Sequence, residues 1–334
     1  MKVIKISPSI TKPFLAGIFI LLAAGCANTK IGKLEEYQPV DMAMTEFPPP
    51  AKHLEGVRQK IAVRALSEVN NVALGRYISE KIVGELNSLG NVDAVMIPAA
   101  TNNPKANASS VPADADFIID GSVNSFRITS SYSDSYTYKN SDGGTERVPA
   151  RCKYSGEVKA TVRVFTKNSD KPTFIYTDTS TGSGPEKSPS GRTCRNLSSN
   201  ESNDVYGNAG NSFVKDIKNE LKSDFAPVGY VKSRFKNPSS SNIFLTSLGS
   251  SMGAKEGLEI EFFTIRKVVD PLSKATSLQR AKIAEGVISD QVSPGQSYVI
   301  IKEQVDADTV RTGDIVKGKF TGGFLEDIIP DIIK

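Results

Sequence analysis

Ala115-Asp116-Phe117-Ile118-Ile119-Asp120-Gly121-Ser122-Val123 is the stretch from which the fold can be read. Its aromatic and β-branched run, continuing towards Ile128, predicts the strongest strand of a domain that extends to both sides of it. Upstream, Lys60-Ile61-Ala62-Val63-Arg64-Ala65-Leu66 reads as a short buried strand. Leu74, Ile78, Ile82, Leu86 and Leu89 then recur at three- and four-residue spacing, the apolar stripe of a helix that Gly90 stops. Val92-Asp93-Ala94-Val95-Met96-Ile97 is the next strand, ended by Pro98, and the polar residues from Ala99 to Pro112 make a loop.

Downstream the alternation is clean. Val158, Ala160, Val162 and Val164 fall on one face, with Glu157, Lys159, Thr161 and Arg163 on the other. Asn168-Ser169-Asp170-Lys171 turns the chain into Thr173-Phe174-Ile175-Tyr176, an antiparallel return. Ala209, Phe213, Ile217, Leu221 and Phe225 recur every fourth residue, a second helix closed by Pro227 and Gly229. Strands and helices in this order predict an α+β domain over 57–230, a mixed sheet with two helices on one face.

The same residues resemble the CsgG-type lipoproteins and the TolB N-terminal-like fold. Ile61-Ala62-Val63, a helix, a strand and then 115–123 are similar to the surroundings of the family's "ADYIVTGSI" element. That family includes CsgG, the outer-membrane curli secretion channel, the LpoB-type activators of cell-wall synthases and the middle domain of the flagellar protein FlgT. The resemblance implies an envelope accessory or assembly protein and not an enzyme.

The N terminus carries Lys2, Lys5 and Lys12, an apolar run from Phe14 to Ala24, and Leu21-Leu22-Ala23-Ala24-Gly25-Cys26. This is a secretory signal over 1–25, too short for a permanent span, which takes roughly 20 apolar residues. Small residues ending at a cysteine resemble the lipobox of bacterial lipoproteins, although Ala23 stands where that family more often has Leu. The resemblance implies that Cys26 is the acylated first residue of the mature chain. Ala27 in place of Asp implies transfer to the outer membrane, on its periplasmic face. Two or more acyl chains make a durable anchor where one does not. The other reading is an ordinary cleaved signal with Cys26 present by chance. Residues 26–56 lack periodicity and contain Phe47-Pro48-Pro49-Pro50, which predicts a lipidated, Pro-rich tether.

Composition removes several function classes. Of 334 residues, 41 are Lys or Arg and 37 are Asp or Glu, and three of the basic ones lie in the signal. So balanced a mature chain gives no case for nucleic acid. The single histidine, His53, lies in the Pro-flanked segment, which leaves no imidazole for a triad or a His-based metal site. No catalytic constellation, cofactor, metal site or small-molecule substrate is expected. Cys152 and Cys194 flank the 158–176 hairpin, whose ends lie near each other, so a structural disulfide is expected. A redox pair is the other reading, without the C-x-x-C spacing.

Phe126, Ile128, Ser130, Tyr132, Asp134, Tyr136 and Tyr138 share one strand face, a pattern that membrane-barrel strands also show. Asp134 would then face lipid, and 139–151 is polar, so a strand running out into a polar loop is the expectation. The Ser/Asn/Gly-rich stretch from Ser183 to Asn208 reads as an insertion that does not cross a bilayer.

Past Gly229 short strands and glycine turns predict a small all-β, barrel-like domain over 238–320. Gly249 to Gly257 precedes a strand and not a helix, which makes it a β-turn and not a phosphate cradle. "GAKEGLEIEFF" and "VRTGDIVKGKF" resemble the C-terminal β-domain of FlgT, with Leu258 where that family has Asp. The tail 321–334 places Phe324, Leu325, Ile328 and Ile329 at helical spacing, candidates for binding a partner or docking on their own domain. The functional expectation is an outer-membrane-anchored scaffold or assembly factor, binding other envelope proteins or itself as a ring. The alternatives are a CsgG-type secretion channel and an activator of a peptidoglycan synthase.

Overall fold

The strand predicted at 115–123 is the middle of a five-stranded sheet in the computed structural model, which describes residues 29–49, 58–68, 73–100, 110–167, 169–239, 242–302 and 309–320. The elements in chain order are β1 (Gln38–Val40), β2 (Gln59–Arg64), α1 (Leu74–Asn87), β3 (Val92–Ile97), β4 (Phe117–Ser133), β5 (Tyr136–Lys139) and β6 (Thr145–Val148). There follow β7 (Arg151–Thr166), β8 (Phe174–Lys187), α2 (Ser199–Asp224), β9 (Val228–Lys236), β10 (Asn242–Thr246), β11 (Glu259–Val269), β12 (Thr276–Ser293), β13 (Gln296–Ile301) and β14 (Ile315–Gly318).

The first sheet has the order β3-β2-β4-β7-β8. β2 pairs in parallel with β3 and β4, and β4, β7 and β8 are antiparallel, so the sheet is mixed as the periodicities require. Both helices cover one face. Ile78, Ile82 and Leu86 of α1 and Phe213, Ile217 and Leu221 of α2 bury against Ile61, Val63, Ile119, Val158, Val162 and Val164. A β-bulge between Val123 and Ser125 shifts the side-chain register of β4 by one, which keeps Phe126 on the helix side, against Tyr206.

Two expectations for this domain change. The 183–208 stretch is not an insertion: its first residues complete β8, and its last ten begin α2. The helix starts at Ser199 because Ser198 and Glu201 form a reciprocal capping box, a polar signal that apolar spacing does not register. The run from Phe126 to Tyr138 is not one strand face either, since β4 ends at Ser133 and β5 belongs to a separate two-stranded ribbon with β6.

The second module is a closed barrel of six antiparallel strands, β9-β10-β13-β12-β11-β14, completed by pairing β14 with β9. It starts at Val228, ten residues before the predicted boundary. Phe225 and Ala226 are buried at the junction, so the chain passes from α2 into β9 with no linker. Phe244, Ile260, Phe262, Ile288, Val299 and Val316 fill the barrel, with Phe244 and Phe262 edge to face at 5.7 Å between ring centroids. Closure leaves the barrel strands without free edges where they pair.

The two turns singled out in the sequence are both present. In Arg311-Thr312-Gly313-Asp314 the glycine has φ +91°, and the Asp314 carboxylate accepts the Arg311 N–H at 2.7 Å before β14 begins. A side chain at Gly313 would strain that left-handed backbone. At Leu258 no carboxylate exists to do the same, and the side chain packs into the barrel core instead.

The modules abut. Gly253 of the barrel lies so close to the turn after α1 that a Cβ there would meet the Leu89 oxygen at 1.8 Å and the Asn91 nitrogen at 3.4 Å.

The tether is corrected over 29–49. These residues form a strap laid on the barrel, not a free spacer. The Asp290 N–H donates to the Thr29 carbonyl at 3.0 Å, and the Ile31 N–H donates to the Asp290 carboxylate at 3.0 Å. Ile31 is buried, β1 pairs with β9 beside β14, and Thr45 and Thr312 are joined through their backbones. The sequence shows no periodicity here because one buried isoleucine and a three-residue strand are too sparse to make one.

Candidate functional site

The long antiparallel arm of β4, β7 and β8 is the feature of the α+β module that its sheet does not need for a core. β4 and β7 stay paired out to Ser133 and Arg151, and β8 reaches Lys187 opposite Cys152. The first turns of α2 lie along this arm because glycines let them. A Cβ on Gly182 would meet the Ala209 nitrogen at 2.2 Å, and one on Gly184 would meet Val205 at 2.7 Å.

Between the arm, α2 and α1 runs a polar cleft of ≈ 720 Å³, lined in part by Tyr77, Pro185, Asn203, Asp204, Asn208 and Asn211. Its polar groups bond one another. Tyr77 Oη donates to Asn211 Oδ1 at 2.9 Å, and Asn208 Nδ2 donates to the Ser183 carbonyl at 2.8 Å. Of the lining carboxylates, Glu201 accepts the Ser198 hydroxyl at 2.7 Å as part of the helix cap. Among the described residues no three His, Cys, Asp or Glu side chains are grouped to hold a metal.

Cys152 and Cys194 are joined in a disulfide, Cα to Cα 5.6 Å, which ties the loop before α2 to the start of β7. This is the structural reading of the pair. Around it Lys187 and Ser198 bind Glu201 and pull its carboxyl down to about 2. A carboxyl lowered in the folded state stabilises fully above its unfolded value, near 4.5, and that stabilisation is lost as pH falls through about 2. Glu201→Gln is therefore expected to flatten this part of the stability–pH curve, which melting temperatures measured through that window would show.

The arm ends in the β5–β6 ribbon, where Tyr136 and Tyr138 are exposed and Tyr132 Oη donates to Asp134 at 2.7 Å. Opposite the helices the five-stranded sheet has a face on which Val95 and Ile175 are exposed. Its outer strands are β3 and β8, and the Asn87 side chain of α1 covers the β3 edge, accepting the Ala94 N–H at 2.7 Å and donating to the Ala94 carbonyl at 3.1 Å. Cys26, His53 and the tail residues Phe324, Leu325, Ile328 and Ile329 lie outside the described residues, as does the signal. Among the described residues no helix is long and apolar enough to cross a membrane. What sequence reasoning missed is the cleft wall, for which the only available signal was the glycine-rich Ser180–Gly184 run before a Ser-x-x-Glu cap.

No protein-family model and no curated protein matches the chain. Among solved structures it is similar to the PelC dodecamer from Paraburkholderia phytofirmans, at 15% identity over 48% of this chain and 86% of that one, with a TM-score of 0.28. It is also similar to the hypothetical protein CT253 from Chlamydia trachomatis, at 14% identity over 49% of this chain and 98% of that one, again with a TM-score of 0.28. Superpositions that loose carry no argument about this chain.

Proposed function

We propose that this chain is a non-catalytic, lipid-anchored scaffold or assembly factor of the bacterial envelope, held through Cys26 at the periplasmic face of the outer membrane. The observation that carries the reading is the strap. Three residues after Cys26 the backbone is already bonded to the barrel at Asp290. An anchor at Cys26 would therefore hold the barrel close to the lipid with one end fixed downward, and not at the end of a long leash. The α+β module abuts the barrel at Asn91, Leu89 and Gly253 and would be carried at a set height and orientation. The outer edge of β8, which pairs with no further strand among the described residues, is then available for other envelope proteins or for another copy of the chain, because unpaired backbone donors and acceptors template strand addition.

Mass spectrometry of the N-terminal peptide from the native polypeptide tests the reading. An acylated Cys26 is expected, and an unacylated first residue, or a cytosolic product, overturns it. The size of the detergent-extracted particle then separates a single scaffold from a ring, and a pull-down against peptidoglycan synthases tests the activator alternative. The strap has its own test. Ile31→Asp places a charge at a buried position, and residues 29–49 are expected to become cleavable under limited proteolysis that leaves them intact in the parent chain.

A further inference from the structure

The β11–β12 hairpin leaves the barrel. β11 pairs with β14 only from Ile260 to Phe263, and β12 with β13 only from Gly286 to Ser293. Residues 264–281 thus form a two-stranded ribbon with no third strand beside it among the described residues. Asp270 shapes its tip, accepting the N–H groups of Leu272 and Ser273 at 2.8 and 2.7 Å. That turn leaves Leu272 93% exposed, with Val269 at 53% and Leu278 at 59% close behind. Scattered exposed apolar residues are ordinary, but three gathered at the far end of a projecting ribbon mark a contact site.

Charges lie at the tip and behind it. The ribbon 264–280 carries Arg266, Lys267, Lys274 and Arg280 against one acid, Asp270; Lys274 sits in the tip turn and Lys267 pairs directly with Leu278. None of the four forms an ion pair among the described residues, and Arg280 lies over the Phe263 ring at 3.9 Å. At the ribbon's foot a cleft of ≈ 510 Å³, lined by Arg266, Lys267, Arg311, Thr264 and Glu46 among others, continues the basic surface. An apolar tip with four cations at it and behind it suits the interface of an anionic bilayer, whose acyl region would receive Leu272 while the phosphates meet the cations. We propose that the tip of the β11–β12 ribbon docks on a membrane surface rich in anionic phospholipid.

The geometry also sets a direction. Thr29 is bonded to Asp290, and from there to Thr276 the path along β12 is roughly 45 Å at about 3.3 Å per residue. The tip therefore lies at the other end of the barrel from the point where the N-terminal residues reach it. On the proposed anchoring at Cys26, the tip would point away from the membrane that holds the N terminus.

The sequence contains no tryptophan, so Leu272→Trp in the full chain supplies a single reporter at the tip. Its emission is expected to shift to the blue, and to be quenched by brominated phospholipid, with phosphatidylglycerol vesicles but not with phosphatidylcholine vesicles. Added salt should reverse the shift. Lys267→Glu and Arg280→Glu in that background should each weaken vesicle binding at least about fivefold. Gly295→Trp, at the opposite turn where nothing packs on the backbone, is the control whose emission should not respond to lipid charge. A tip indole that does not respond to anionic vesicles overturns the proposal. So does one that responds equally to both lipids, or only to an added acidic protein.

Discussion

Replacing Cys152 and Cys194 together by alanine is expected to lower the stability of the oxidised protein by about 4 kcal/mol, on chain-entropy grounds for a bridge of this span. The bridge joins residues 42 apart in sequence. Without it the unfolded chain regains the freedom of that loop, whereas the folded arm loses only its tie between β7 and the segment before α2. Urea denaturation checks this: the midpoint should fall in the double variant, and reduction of the parent chain should produce the same fall. Equal midpoints for parent and variant under oxidising conditions would remove the disulfide from the account of the arm. Because Cys152 is fully buried, alanine is the better replacement, since serine would add the cost of an unpaired hydroxyl.

Gly182→Val is expected to cost about 3 kcal/mol, the upper end of the usual range for overpacking. The reason is where the new atoms would go. A Cβ there sits 2.2 Å from the Ala209 nitrogen and 2.4 Å from the Asn208 carbonyl carbon, which are backbone atoms of α2 and cannot rotate away. The helix must lift from β8, opening the contacts of Val205, Ala209 and Phe213 with the sheet. Thermal unfolding measures the loss, and hydrogen exchange should localise it to α2 and the arm. Gly295→Ala, at an open turn, is the matched substitution and should change little. A melting temperature for Gly182→Val equal to that of the parent would show that α2 does not seat against the arm as described.

Both predictions concern a region that the sequence shows poorly. Apolar spacing finds α2 from Ala209 onward, where every fourth residue is large. It misses the ten residues before, because there only Val205, onto glycines, and Tyr206, onto Phe126, pack, and glycines carry no hydropathy signal. The strand β8 beyond Tyr176 is hidden for the same reason: Ser180, Gly182 and Gly184 meet the helix through their lack of bulk. The cleft walled by these residues could not be anticipated from a pattern of large apolar side chains.

Local sequence determined the elements whose own side chains make the core. The strand at 115–123, the α1 stripe from Leu74 to Leu89, the alternation from Val158 to Val164 and the turn at Gly313-Asp314 each follow from spacing or backbone chemistry within one segment. Tertiary structure alone decided which partner each edge took. β9 entered the barrel because its two edges are satisfied by β10 on one side and by β14 and β1 on the other. The strap over 29–49 is held by Asp290 and Thr312, more than 250 residues away, and the ribbon 264–281 projects because β13 and β14 stop short of it. The physical cause is the same in each case. Hydrophobic periodicity is a property of a segment, whereas the hydrogen bonds of a strand edge belong to two segments and are fixed only when both are in place.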